Sequence, residues 1–203
     1  MEDFIATILE GDSGEAVSRA RDLCGRGAGP EDIVIHGVET AMSALDKKCT
    51  LEQFNLLEIM LAGRAVMDVM KFLYPTGIAA ADSKGTVVIA SMEGDVHDLG
   101  KNILKMVLIG KGYRAVDCGK DCPLQKLLDA VEKERPLAVG ISGLITTIRP
   151  LVRQVKDQLV LRGLGRVKVV AGGAALKQSS PAGLNVDFVA ETAFDILRFL
   201  ESS

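Results

Sequence analysis

The sequence predicts an α/β chain in two parts, a four-helix bundle followed by a five-stranded, doubly wound parallel sheet. Three observations carry this reading. Residues 1–74 place their apolar side chains at helical spacing with almost no strand signal. From residue 85 onward, short apolar runs alternate with helical patterns, the order expected of β–α–β units. Runs such as Leu137-Ala138-Val139-Gly140-Ile141 are apolar on both sides of the pleat, as strands covered on both faces must be.

Phe4, Ile5, Ile8 and Leu9 mark a first short amphipathic helix, broken by Gly11-Asp12-Ser13-Gly14. Ser13 or Asp12 can cap a second helix over 15–25, which buries Ala16, Val17, Ala20 and Leu23. Pro30 suits the first position of a third helix with the stripe Ile33, Val34, Val38, Ala41, Met42 and Leu45. A fourth is expected over 51–73, capped by Thr50 with Glu52 in its first turn. The Gly, Ala and Asp content near Pro75–Lys84 reads as a linker, giving a layout of 1–75, linker 76–84, and 85–203. Strands are expected at 85–91, 113–118, 137–142, 167–171 and 186–190. Helices are expected at 98–111, 123–134, 147–161 and 193–201, with a short helical turn near 174–178. Five such strands suit the flavodoxin-like (Rossmann-like) order 2-1-3-4-5.

With 48% apolar and 25% charged residues the chain is globular. A net charge of −3 offers no basic stripe, so no nucleic acid is expected as a partner. The longest uncharged apolar stretch, Pro136–Ile148, is too short to span a bilayer, so no membrane is expected either. Met1-Glu2-Asp3-Phe4 does not begin a signal peptide, which makes a cytoplasmic location the expectation. Cys24, Cys49, Cys118 and Cys122 lack paired metal spacing and read as small buried thiols.

The chemistry concentrates in Gly94-Asp95-Val96-His97-Asp98-Leu99-Gly100-Lys101-Asn102-Ile103, between the first strand and the helix after it. An imidazole at the carboxyl end of a strand in an open α/β sheet sits where such sheets bind ligands. Asp95 can accept the second ring N–H of His97 and orient it toward a metal. Gly100 lets something bulky approach where the helix begins. The third strand ends in Ser142-Gly143-Leu144-Ile145-Thr146-Thr147 and the fourth in Ala171-Gly172-Gly173-Ala174. In a 2-1-3-4-5 sheet these loops converge on one crevice, where adjacent glycines permit close packing of a flat ligand. His36, within the third helical pattern, reads as structural or solvent-facing.

Asp95-x-His97-x-x-Gly100, Ser142-x-Leu144, Gly172-Gly173 and the preceding bundle together resemble the corrinoid proteins of cobalamin-dependent methyltransferase systems. They also resemble the cobalamin-binding module of methionine synthase. The resemblance implies a cobalamin cofactor, serving as methylcobalamin and cob(I)alamin, bound base-off with His97 as lower axial ligand of cobalt. Asp95 would hydrogen-bond His97. Gly94, Val96, Asp98, Leu99 and Gly100 would also bind the cofactor. Ser142, Leu144, Thr146, Gly172, Gly173 and Ala174 would line the slot for the displaced nucleotide tail, and Glu191 and Thr192 would close it. The bundle would serve as a cap that shields a bound methyl group from water.

Gly94 and Lys101-Asn102-Ile103 resemble methyl carriers, whereas radical mutases usually carry an arginine where this chain has Leu99. Two departures stand out. Ile148 occupies the place where relatives often put a serine or threonine that joins the Asp–His relay, leaving Thr146, Thr147 or water to substitute. Asn55-Leu56-Leu57 replaces a Phe-Leu-Pro-like segment, so Met42, Met60 and Met67 are candidates to cover the methyl group, though each reads more readily as core. A carrier without a second domain implies partners: a substrate-specific methyltransferase, a second methyltransferase using tetrahydrofolate or a thiol acceptor, and a reductive activator. Methoxyaromatics, methylamines, methanol and betaines all remain open as donors. The competing classes are a cobalamin-dependent sensor, which normally attaches a DNA-binding or signalling domain, and a flavin-binding electron carrier. The latter is disfavoured because Asp95 and Asp98 would repel a phosphate.

Overall fold

The computed structural model describes residues 1–50, 55–76 and 83–202. Its contacts divide it into two compact units: Met1–Ser83 with Met106–Tyr113, and Lys84–Lys105 with Arg114–Ser203.

In the first unit, α1 (Glu2–Glu10) and α2 (Ser13–Gly25) are separated by a turn in which Asp12 accepts the Glu15 N–H at 3.0 Å. Asp12, rather than Ser13, is therefore the cap. Ala16 and Ala20 are fully buried along α2, whereas Val17 and Leu23 are only partly so. Pro30 opens α3 (Pro30–Ile33), which runs through a π-helical segment, Val34–Val38, into α4 (Glu39–Thr50). The stripe Ile33, Val34, Val38, Ala41, Met42 and Leu45 is buried along its whole length, so the wider π turn does not break the apolar face. His36 faces solvent.

Next, α5 spans Leu56–Leu73 and is capped by Asn55, whose side chain accepts the Leu57 and Glu58 N–H groups. This corrects the expectation for the fourth helix: Thr50 belongs to α4, and Glu52 lies outside the described residues. Both Thr and Asn are capping residues, and only the chain's path shows which one meets a helix start. Ile59, Ala62, Ala65, Val66, Val69 and Met70 form its buried face. Met42 is core and Met67 half-buried, but Met60 is exposed, against the expectation that it packs inside.

The second unit follows the expected order: β1 (Thr86–Ser91), α6 (Leu99–Gly110), β2 (Arg114–Asp117), α7 (Leu124–Glu134), β3 (Ala138–Ser142), α8 (Arg149–Leu161), β4 (Lys168–Gly172), α9 (Pro181–Leu184), β5 (Phe188–Ala190) and α10 (Ala193–Glu201). All pairings are parallel, in the order β2-β1-β3-β4-β5. On one face Val88, Ala90, Val139, Ile141, Val169 and Ala171 pack with Leu127, Leu128 and Val131 of α7 and Val152, Val155 and Leu159 of α8. On the other face Gly140 lets Leu104 of α6 and Ile196 of α10 reach the strand. The stretch 174–178 is a series of turns, not helix. The helical turn comes later as α9, where Ser180 caps it and Pro181 starts it.

Register positions the site. Ser91 pairs with Ser142, Ser142 with Gly172, and Gly172 with Ala190, so four strands end level at the carboxyl edge. Among the described residues no helix is long and apolar enough to cross a membrane.

Candidate functional site

At that edge the chain leaves β1 and turns inward, placing Asp95 fully buried. Each of its carboxylate oxygens is used. Oδ1 accepts the His97 N–H at 2.9 Å and lies 2.8 Å from the His97 Nδ1. Oδ2 accepts the Leu144 N–H at 2.7 Å and the Ile145 N–H at 3.4 Å. Burial works to raise the Asp95 pKa, but these hydrogen bonds, Leu144's foremost, outweigh it and hold the carboxyl below its ordinary value. An ionised carboxylate can only accept, so Nδ1 carries the ring hydrogen and Nε2 is left with the lone pair. The His97 side chain is 51% exposed. Ser91, fully buried at the end of β1, donates its hydroxyl to the His97 carbonyl at 3.0 Å. The ring is thus fixed through its own backbone and through Nδ1, with Nε2 unencumbered by the carboxylate.

The relay question is answered by the main chain. Ile148 is buried against Gly143 and Leu176, and Thr146 and Thr147 are exposed. The second oxygen of Asp95 ends on the Leu144 and Ile145 amides, so none of its hydrogen-bond partners is a hydroxyl. Leu144 therefore acts here through its N–H, while its side chain is 50% exposed, as is that of Val96 at 57%.

Other expected site residues fall on the same edge in different roles. Gly94 and Gly100 are exposed and Asp98 half-buried; the Leu99 side chain lies outside the described residues. A methyl group on Gly100 would come 2.8 Å from the Ser142 hydroxyl, so α6 starts in direct contact with the end of β3. Gly173, at φ +94°, lies against the Gly143 backbone, where an added Cβ would meet the carbonyl oxygen at 2.6 Å. The Gly172-Gly173 pair thus serves first to bring two loops together. Ala174 is exposed. Glu191 is exposed and lies 3.7 Å from Lys177. Thr192 is engaged at the start of α10, where both its N–H and its hydroxyl donate to Asp195.

Two participants escaped sequence reading, Ser91 and Asp121. Ser91 left a signal, a hydroxyl ending an otherwise apolar strand. Asp121 left none; its side chain accepts the Gly94 N–H at 2.7 Å from 27 residues away. Cys118 and Cys122 are buried in the core beneath this region. Their mutual hydrogen bond, with burial, pushes the Cys118 thiol up. Among the described residues no cluster of three His, Cys, Asp or Glu could hold a metal ion by itself. One imidazole with a fixed tautomer, together with the exposed Val96 and Leu144, fits a metal held in a large flat apolar macrocycle.

The carboxyl edge of a 2-1-3-4-5 sheet, where Asp95 and His97 stand, is the ligand-binding edge of an α/β protein. The chain belongs to the B12 binding domain family, whose model matches residues 85–197, and its cofactor is cobalamin. Beyond that domain, it is 30% identical to the methanol–corrinoid protein of Methanosarcina barkeri over 93% of this chain and 70% of that protein. It is 33% identical to dimethylamine corrinoid protein 3 of Methanosarcina acetivorans over 88% of this chain and 83% of that protein. Among solved structures, the methanol:cobalamin methyltransferase complex MtaBC from Methanosarcina barkeri aligns with a TM-score of 0.83. That alignment has 27% identity and covers 98% of this chain and 77% of that one.

Proposed function

We propose that this protein is a corrinoid methyl carrier, taking a methyl group from a substrate-specific methyltransferase and delivering it to a second one. The observation that carries the reading is the buried Asp95 holding His97 through Nδ1, which would leave Nε2 to coordinate the cobalt of a bound cobalamin. Relatives named as corrinoid proteins for methanol and dimethylamine support the methyl-transfer branch. Bound cobalamin supplies a cobalt centre able to accept a methyl group and give it up again.

The protein's own contribution is ligation, orientation and exclusion of water. Asp95 keeps the hydrogen on Nδ1 and so keeps Nε2 the coordinating atom. Ser91 and the His97 N–H fix the backbone from which the ring projects. Ser142 and Gly172, paired at the ends of β3 and β4, are assigned with Leu144, Thr146, Gly173 and Ala174 to the nucleotide tail, and Glu191 and Thr192 to the closure of its slot. Val96, Asp98, Leu99, Gly94 and Gly100 are assigned to the corrin side of the same loop. Residues 85–203 would hold the cofactor. Residues 1–75, joined through 76–84, are assigned the protection of the transferred methyl group. Partners in this scheme are the two methyltransferases, the second using tetrahydrofolate or a thiol, and a reductive activator.

The test is an ultraviolet–visible spectrum of protein reconstituted with hydroxocobalamin, beside His97→Ala. Retained corrinoid whose axial-ligand bands disappear in the variant supports base-off, His-on binding. Identical spectra for the two proteins would sink the ligand assignment. A wild type that folds but retains no corrinoid would remove the carrier reading altogether.

A further inference from the structure

Asp95 is held from two sides, and only one of them is the carboxylate's. Its side chain is bound by the loop after β3, through the Leu144 and Ile145 amides. Its main chain is bound by the loop after β2. There Asp121 donates its N–H to the Asp95 carbonyl at 3.0 Å. In return the Gly94 N–H donates to Asp121 Oδ1 at 2.7 Å. The same loop continues the β1–β2 pairing past the strands: Ser91 N–H to Gly119, Cys122 N–H to Ser91, and Glu93 N–H to Cys122. Asp121 stands at the end of this series with φ +50°, the left-handed region that non-glycine residues enter at a cost. Its place in an exposed loop gives that conformation no core to stabilise, yet both of its polar groups are aimed at the two residues that precede Val96 and His97. Strain kept at a contact of this kind points to a positional role.

We propose that Asp121 is a positioning residue for the corrinoid site, clasping Gly94–Asp95 so that His97 Nε2 is presented at a fixed height and angle. The proposal rests on the carrier reading for its ligand but not for its geometry. Asp95 cannot orient the imidazole unless its own backbone is fixed. The Leu144 and Ile145 amides restrain the carboxylate, and the Asp95 N–H donates to the Met92 carbonyl at 2.9 Å, which leaves the Gly94 N–H and the Asp95 carbonyl to be held from elsewhere. Asp121 supplies that hold by gripping the two together. Its side chain acts as an acceptor, not as a charge, so an uncharged acceptor of the same shape does the same work.

Three variants separate the causes. Asp121→Asn keeps an oxygen acceptor and a residue that tolerates the left-handed conformation. Asp121→Gly keeps the conformation and removes the acceptor. Asp121→Ala removes both. Each is reconstituted with hydroxocobalamin, and the rate of corrinoid release and the His97-dependent spectrum are measured. Asp121→Gly and Asp121→Ala are expected to release cobalamin about tenfold faster, the range for residues supporting a metal ligand, while Asp121→Asn stays close to wild type. The apo-proteins give a second readout independent of cofactor. The Gly94 amide should exchange with solvent about tenfold faster in the Gly and Ala variants. In those variants the ring-nitrogen resonances of His97 should lose the single Nδ1–H tautomer.

If Asp121→Gly matches wild type in release, spectrum and amide exchange, the clasp has no positioning role and the proposal falls. If wild type itself shows no His97-dependent spectrum, the assignment of His97 as ligand fails. The apo resonances then decide the clasp alone: an unchanged His97 tautomer in Asp121→Gly overturns it, and a lost one upholds it.

Discussion

At the carboxyl end of the sheet, Asp95 is buried among main-chain amides and one imidazole. Near the amino end, Asp187 accepts the Val169 N–H at 2.7 Å and the Lys156 ammonium at 2.6 Å. Both carboxylates brace neighbouring elements through backbone amides, and both titrate below their ordinary value. They differ in what completes them. Asp187 meets a full positive charge from its own chain, and that interaction is finished within the fold. Asp95 instead holds the His97 ring at Nδ1, and that side chain is half-exposed. A buried carboxylate that holds a half-exposed imidazole rather than an ammonium is the arrangement expected of a functional site.

The comparison breaks most sharply at Asp95. Asp95→Ala leaves the Leu144 and His97 amides without their acceptor and frees the ring. Cobalamin retention is expected to fall by about tenfold to a hundredfold. Apo-protein stability should fall by roughly 1–3 kcal/mol, read from corrinoid release and the urea midpoint. Asp187→Ala should lower the urea midpoint and leave retention alone. Equal retention in the two variants would erase the distinction.

Gly173→Ala tests whether the carboxyl end also depends on loop packing. The new methyl group would sit 2.6 Å from the Gly143 carbonyl at a left-handed φ, so one loop must move. A loss of about 1–3 kcal/mol is expected in urea unfolding, from overpacking in that contact. Release of cobalamin should quicken if the Gly143–Gly173 contact shapes the tail slot.

The smallest effect is expected at Lys156. Burial works to raise the Asp187 pKa, but the Lys156 hydrogen bond, the Val169 amide and the lysine charges more than offset it. A folded pKa below the unfolded one contributes stability above the unfolded value of 3.8, lost as the pH falls through the folded value. Lys156→Met should therefore cost about 1–2 kcal/mol at pH 7. Urea midpoints of the two proteins should converge as the pH drops below 3.8, with corrinoid retention unchanged. A gap that persists under acid would assign the loss to packing of the lysine stem instead.

How much of this was legible varied with distance along the chain. The strands declared themselves as apolar runs because both faces of the sheet are covered. Asp95 and His97 could be paired from the sequence because they are two residues apart and leave one strand end together. The π-helical turn at Val34–Val38 was not legible, since its residues keep an ordinary helical stripe. Asn55 was passed over for Thr50 because both side chains can cap. Asp121 was invisible because an aspartate in a Gly-Lys-Asp-Cys loop resembles any other polar loop residue. The partner of Asp95's second oxygen was invisible for a different reason: main-chain N–H groups carry no residue identity.

The amino-acid sequence by itself determined the succession of helices and then a parallel sheet, the strand order, and the pairing of Asp95 with His97 at the end of β1. Each follows from periodicity, strand-end chemistry or local spacing. Tertiary structure alone decided what holds Asp95, that Ile148 points into the core where a relay hydroxyl was sought, and that Gly173 packs on Gly143. It also decided that Asp121 grips the loop from the far side. These contacts join segments 27 to 50 residues apart through backbone atoms and excluded volume, for which a linear sequence has no symbol.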